Sequence, residues 1–510
     1  MIEQVLNLRH LGATVFLAGA ASLATEMGAS RLIAPYFGSS NVVWANVIGL
    51  MLAFLALGYW LGGRVADSRP EPKLLAQILL ASALLLAATP FAARPLLRLA
   101  LHGTDVLSIG IVLGSFGGVL VLFVLPVTLM GAVSPFAIRL AISDIAEAGR
   151  VAGRLYALST VGSILGTFVA ALVAIPLIGT QRTLLGAAAL LALAAAPLAP
   201  KGAVVVSLLV AAAVALPPGG IKRSSGVIWE GESQYAYLRV VQNSDGSRAL
   251  QENEGIADQS LWYPHSVLTG GYWDQFQLLP RLLARPAKSV LVLGNAGGTV
   301  SRALNHFYPL AHVDGIELDP LVTSVGRRFF GLRLTPNMRT ITADARVFLE
   351  TTRRRYDLIV VDAYRQPYIP FQLATEEFFR LVSDHLTPGG LVALNVAAVP
   401  RDHRLGEEVG ATLASVFPQV WRWTALRFSD VLFAFRGRRS RSDLVRRAQL
   451  VPPPLRPLVP LFRSELTQVI PHGAAWTDDR APVEWVTDRM LVEQIARGQG
   501  LDEQPLPTQP

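Results

Sequence analysis

The sequence predicts an α-helical polytopic membrane domain followed by a small β-domain and an α/β doubly wound, Rossmann-like domain. Three observations predict it. Apolar runs of helical length fill residues 1 to about 220 and stop there. From Ile221 onward charges are frequent and apolar runs are short. In that second part, strand-like runs alternate with helix-like segments and end repeatedly in glycine or an acid.

A helix needs roughly 20 mainly apolar residues to cross a bilayer. The candidate runs are 12–34, 42–61, 74–92, 106–129, 155–177, 183–199 and 202–217, about seven spans with the last two short. The first lacks a cleavable-signal pattern and is read as a retained helix. Tyr36, Trp44, Tyr59 and Trp60 fall near span ends, where aromatic rings favour the interface. Glu26 lies inside the first run and Arg31 near its end. Arg31 can snorkel to the headgroups, whereas Glu26 requires a partner from another helix or a transport role.

The net charge is +8. Much of the excess is Arg in short loops between apolar runs, which fits membrane topology, and no basic stripe with interleaved aromatics points to nucleic acid. With the N-terminus inside, the inner loops hold Arg9, Arg64, Arg69, Lys73, Arg139, Arg150, Arg154 and Lys201, and the outer loops only Arg94, Arg98 and Arg182. The stretch from Gly58 to Lys73, GYWLGGRVADSRPEPK, resembles the cytoplasmic loop between helices two and three of major facilitator transporters. Seven crossings from an inside N-terminus would leave the second half outside. The ligand chemistry below favours the cytoplasm, so one of the two short segments is expected not to cross. There is no cysteine, which excludes disulfides, thiolate metal sites and Cys nucleophiles. No metal site is expected.

The strands follow in order. Tyr235–Gln242 and the residues after NSDG read as a hairpin. Ser289–Gly294, the run ending at Glu317, the run into Asp344, the run ending at Asp362 and Gly389–Ala397 read as five strands apolar on both faces. Such a sheet is mainly parallel, and ligands bind beyond its carboxyl ends. Gly294, Glu317, Asp344 and Asp362 all stand there.

The turn VLVLGNAGGT departs from a dinucleotide fingerprint. Glycines would be required at 294, 296 and 299; the chain has Gly294, Ala296 and Thr299, with a pair at Gly297 and Gly298. Ala296 crowds the approach that a pyrophosphate needs. A phosphate-free nucleoside such as an S-adenosyl sulfonium fits instead. Glu317 can accept from ribose hydroxyls and Asp344 from the adenine amino group; acids at strand ends can equally be helix caps. Asp362, beside Tyr364 and before Pro367 and Pro370, is placed to bind an ammonium or to take a proton.

VLVLGNAGGT, IELD, ADA and YDLIVVDAY, in that order, resemble spermidine synthase and its membrane-fused relatives. GESQYAYLRV (231–240), IPFQLATEEFF (369–379) and TDDRAPVEW (477–485) extend the resemblance over about 230–490. It implies transfer of an aminopropyl group from decarboxylated S-adenosylmethionine to putrescine, releasing methylthioadenosine, and a Rossmann-like fold that is often dimeric. It assigns Gly294, Gly297, Gly298, Glu317, Asp344 and the adjoining Ala345 to the adenosyl co-substrate and Asp362 to proton acceptance. Tyr364, Arg365 and His265 become acceptor-side candidates.

The departures lie on the amine side. The glycine loop lacks the family's Asp, Ala236 stands for a Gln, Arg365 for a second acid, and WYPHS for a Tyr-His-Glu stretch. Losing acids and gaining Arg365 works against a dicationic diamine and suits an anionic or lipid-like acceptor. The expected organisation is a membrane domain 1–220, a β-domain 221–285, a catalytic domain 286–490 and a flexible tail 491–510. The expected setting is the cell membrane, multi-pass, with the catalytic domain cytoplasmic. Alternatives are alkyl or methyl transfer from S-adenosylmethionine to a membrane-associated substrate, and a transporter with an adenosyl- or polyamine-sensing domain.

Overall fold

The computed structural model describes residues 8–102, 107–216, 225–255, 257–364, 368–497 and 505–509. The chain divides into two units, one of residues 1–224 with 230–237 and one of 225–229 with 238–510.

The first unit is helical: α1 (Leu8–Phe37), α2 (Asn41–Ser68), α3 (Pro72–His102), α4 (Leu107–Ala141), α5 (Ala148–Val169), α6 (Ile175–Ala195) and α7 (Pro200–Ala215). Among the described residues, five helical stretches are long and apolar enough to cross a membrane: Leu8–Phe37, Asn41–Ser68, Pro72–Leu97, Leu113–Ala141 and Ile145–Ala195. Pro200–Ala215 is apolar but shorter. The fifth stretch runs 51 residues. At 1.5 Å per residue a straight helix of that length would be about twice the ~30 Å hydrocarbon thickness or more. It is broken at Gly179 (φ 83°, ψ 164°), between the runs 155–177 and 183–199.

Small residues let these helices approach closely: a Cβ on Gly166 of α5 would collide with the Ala20 carbonyl of α1. Large apolar side chains remain on the outside, among them Leu52, Trp60, Leu125, Phe168 and Leu208. Glu232 accepts from the Thr180 N–H and hydroxyl, both at 2.6 Å, and so caps the helix that restarts after Gly179. Arg31 donates to the Gln234 carbonyl. These contacts draw 230–237 into the helical unit; the expected 220/221 boundary lies outside the described residues. Glu26 is half-buried on α1.

In the second part of the chain, β1 (Val227–Glu232), β2 (Tyr237–Gln242), β3 (Arg248–Glu252) and β4 (Asp258–Trp262) form a four-stranded sheet in that order. The larger sheet holds β5 (Ser289–Leu293), β6 (His312–Glu317), β7 (Met338–Thr342), β8 (Tyr356–Val361), β9 (Leu386–Ala397), β10 (Val420–Trp423), β11 (Ser429–Phe435) and β12 (Leu466–Gln468). Its order is β12-β10-β11-β9-β8-β5-β6-β7. Strands β5 to β9 pair in parallel, and β11, β10 and β12 add an antiparallel edge.

Between these strands run the short α8 (Trp273–Phe276), then α9 (Thr299–Phe307), α10 (Pro320–Phe329), α11 (Ala345–Thr351), α12 (Glu376–Asp384) and α13 (Arg404–Val416). They are followed by α14 (Arg441–Ala448), α15 (Leu458–Glu465) and α16 (Val483–Ala496). Both sheet faces are buried. Val290, Val292, Leu358 and Val360 enter one core, and Leu291, Leu293, Ile359 and Val361 the other. Order reverses between β5 and β8, which makes their carboxyl ends the switch point where ligands gather.

Helix α16 continues to Ala496. Beyond it, the Leu506 N–H donates to the Gly270 carbonyl at 2.7 Å, and the Thr508 hydroxyl donates to buried Asp274 at 2.6 Å. A buried carboxylate needs such donors, and Thr508 supplies one that composition alone does not reveal.

Candidate active site

The site is built where β5, β6 and β8 end. Gly294 leaves β5 at φ 84°, and a Cβ there would collide with the Asp362 carbonyl. Glycine is therefore required by both conformation and space. Ala296 also has positive φ, 43°. Its strained backbone is held because its N–H donates to Glu317 Oε2 at 2.8 Å, while the Asp319 N–H donates to Oε1 at 3.0 Å. The Gly297 N–H donates to Ser260 Oγ at 2.8 Å. Gly298, at φ 90°, leads into α9. Thr299, where a dinucleotide loop has glycine, exchanges hydrogen bonds with the Leu261 backbone at 3.0 and 3.1 Å. The loop's unusual residues thus serve to tie it to β4 and β6.

Burial pushes the Glu317 carboxyl up to about 7, against the lowering effect of the N–H groups it holds. Asp344 caps α11 through Oδ1, which accepts from the Arg346 and Val347 N–H groups. Ala345 is the first residue of that helix. Arg346 makes two bonds to Asp478, at 2.7 and 2.6 Å, and Thr375 donates to the same carboxylate at 2.7 Å. The TDDRAPVEW stretch therefore clamps α11 to the start of α12.

Asp362 ends β8. The Tyr272 hydroxyl donates to its Oδ2 at 3.3 Å and Asn395 Nδ2 to its Oδ1 at 3.5 Å, with the Trp273 indole a further donor. Asn395 is oriented by Ser429, whose hydroxyl donates to its Oδ1 at 2.6 Å, and the Tyr364 hydroxyl donates to its carbonyl at 2.8 Å. Burial pushes Asp362 up to about 8, only partly offset by these donors. Burial and the nearby Asp362 hold both Tyr272 and Tyr364 well above the ordinary phenol value, so both hydroxyls stay protonated.

Beyond these side chains opens a cavity of about 500 Å³, walled by Tyr272, Trp273, Tyr364, Leu426, Phe428 and Pro505, among others. The structure brings Gly294, Asp362, Tyr364 and the Glu317-held loop together at the switch point. His265 is exposed and lines a different cleft with Arg302 and His306. Arg365 lies outside the described residues. Tyr272, Trp273, Ser260, Asn395 and Ser429 were missed by sequence reasoning. Asn395 did leave a signal, as the amide in the apolar run GGLVALNVA.

A raised carboxyl makes a pH prediction. With Asp362 as the proton acceptor, activity is expected to fall as pH drops below about 8, where its carboxyl is mainly protonated. The expected kcat/KM rises with pH and levels off above about 8, since this ratio reports the free enzyme's groups. A flat profile from pH 6 to 9 would reject Asp362 as the acceptor.

Residues 274–426 match the spermine/spermidine synthase domain. That stretch is similar to the spermidine synthase-like family. A probable polyamine aminopropyl transferase of Bifidobacterium longum is 36% identical over 194 residues, covering 38% of this chain and 43% of that protein. The chain thus spans less than half the length of that relative. A polyamine aminopropyltransferase of Vibrio vulnificus is 29% identical over 223 residues, 41% of this chain and 70% of the other. The crystal structure of a probable spermidine synthase from Corynebacterium glutamicum is 19% identical; the match covers 50% of this chain and 98% of that one at a TM-score of 0.36.

Proposed function

We propose that this chain is a membrane-bound transferase that moves an aminopropyl group from decarboxylated S-adenosylmethionine to an amine. The observation that carries this reading is the buried carboxylate of Asp362 set at the switch point, between a glycine loop held by Glu317 and an aromatic-walled cavity. The similarity of residues 274–426 to the spermine/spermidine synthase domain supports it.

The glycine loop Gly294, Gly297 and Gly298 gives the adenosyl group a close backbone surface. Glu317 accepts from the ribose hydroxyls with the lone pairs its two loop N–H bonds leave. Asp344 and Ala345 meet the adenine, Asp344 through the oxygen not used in capping α11. The acceptor nitrogen enters from the aromatic cavity. Its lone pair attacks the methylene carbon bound to sulfur. The carbon–sulfur bond breaks, its electron pair stays on sulfur, and neutral methylthioadenosine leaves. The proton lost by nitrogen passes to Asp362, while Tyr272 and Asn395 hold that carboxylate in place.

Full-length protein in detergent, given decarboxylated S-adenosylmethionine and an amine, is expected to release methylthioadenosine. Formation of S-adenosylhomocysteine from S-adenosylmethionine instead would replace this reading with methyl transfer. Calorimetry that detects binding of neither donor would end it.

The five long apolar helices support a multi-pass cell-membrane protein. The donor's chemistry favours a cytoplasmic catalytic domain, whereas an inside N-terminus with seven crossings would place that domain outside. The cysteine-free sequence makes the choice testable. Leu310 is 88% exposed. In Leu310→Cys protein the thiol is expected to resist a membrane-impermeant maleimide in intact cells and to react after permeabilisation. Labelling in intact cells would put the domain outside.

A further inference from the structure

We propose that the acceptor is an amine carrying an anionic group, a carboxylate or a phosphate, at the end remote from its reacting nitrogen. This rests on the transferase reading above and concerns the far side of the same site.

Two cavities carry the argument. The first, next to Asp362, is walled mainly by aromatic and aliphatic side chains. Among the described residues Asp258 is the one carboxylate lining it, and it accepts from Gln251 Nε2 at 2.8 Å and faces Arg239. It is a poor seat for a second ammonium. The other cavity, of about 620 Å³, shares Leu426 and Pro505 with the first as common walls. It is lined by Arg401, His403 and Arg427, and among the described residues no acid lines it.

The cationic end is built into the same framework as the base. Arg427 stands two residues from Ser429, whose hydroxyl fixes Asn395, which in turn donates to Asp362. His403 Nδ1 is held at 2.8 Å by Asp430, which is fully buried and also accepts from Thr424. That bond orients the ring and, by raising its pKa, favours the imidazolium. Arg401 is held at φ 68°, outside the usual range for a side-chain-bearing residue.

A diamine that reached past Leu426 would place its second ammonium among like charges. An amine with a terminal anion meets two guanidinium groups and an imidazole there, in the fork geometry that suits carboxylate and phosphate. Discrimination of this kind needs the repulsive element as much as the attractive one, and one face supplies both.

The test uses full-length protein, decarboxylated S-adenosylmethionine and three acceptors of matched length: putrescine, 4-aminobutanoate and 4-aminobutyl phosphate. Methylthioadenosine release is followed, and donor affinity is measured separately. At least one anionic amine is expected to exceed putrescine by roughly tenfold or more in kcat/KM, and the better of the two identifies the anion. Arg427→Glu and Arg401→Glu should each shift the ratio toward putrescine by about tenfold, with the donor dissociation constant unchanged. Preference of the unaltered protein for putrescine overturns the proposal, as does a ratio that neither substitution moves. Donor binding without turnover of any of the three also overturns it, leaving the donor site standing. Failure of the unaltered protein to bind donor falls instead on the transferase reading.

Discussion

Replacing Asp362 by Asn is expected to lower kcat by about 10²–10⁴-fold, the usual worth of a positioned general base, while donor affinity changes far less. Asn keeps the shape that Tyr272 and Asn395 hold but cannot take the proton. The same substitution should stabilise the protein at high pH. A carboxyl whose pKa is raised from 3.8 to about 8 in the folded state contributes stability that is full below about pH 4 and lost as pH rises through about 8. Asn pays no such cost. The melting temperature of Asp362→Asn should therefore exceed that of the unaltered protein by an amount that grows between about pH 4 and pH 8 and then levels off. A cationic sulfonium beside the carboxylate favours its charged form, so the acid limb of kcat should lie below that of kcat/KM. Retained turnover in the Asn variant, or a melting difference independent of pH, would remove Asp362 from the chemistry.

How far such a site is legible in sequence depends on what places each residue. Asp362 could be read because it follows the continuous apolar run LIVV, whose end is the end of a strand, and Glu317 and Asp344 because they close the strand-like runs HVDGI and MRTITA in the same alternating series. The parallel order of β5 to β9 follows from the helix between each pair. Tyr272 could not be read as a partner of Asp362, because the two are 90 residues apart and meet only through the packing of the loop before β5 against β8. Asp478 could be matched as part of a motif, yet its work as a clamp between Arg346 and Thr375 needs three separate segments in place. The edge strands β10 and β12 are only 4 and 3 residues long, too short for periodicity to show. Gly179 was one glycine among many in an apolar half. The helix restart beside it is capped by Glu232, which accepts from Thr180, 52 residues away.

Glu317 carries the second large expectation. Glu317→Ala is expected to weaken donor binding at least tenfold, about 1.4 kcal/mol. Two losses combine: the ribose hydroxyls lose an acceptor, and the N–H groups of Ala296 and Asp319 lose theirs. Glu317→Gln should be nearly as costly, because an amide nitrogen would face one of those N–H groups, donor against donor. The two losses can be separated. A methylthioadenosine analogue lacking the 2′-hydroxyl should bind the unaltered protein more weakly than methylthioadenosine itself, yet bind Glu317→Ala with nearly the same affinity as methylthioadenosine. That pattern is the coupling expected of a direct contact in a double-mutant cycle. If removing the hydroxyl costs the same in both proteins, Glu317 acts on the loop alone. Its pKa, pushed up to about 7 by burial, would then report how tightly the strained turn at Ala296 is held, and nothing about the nucleoside.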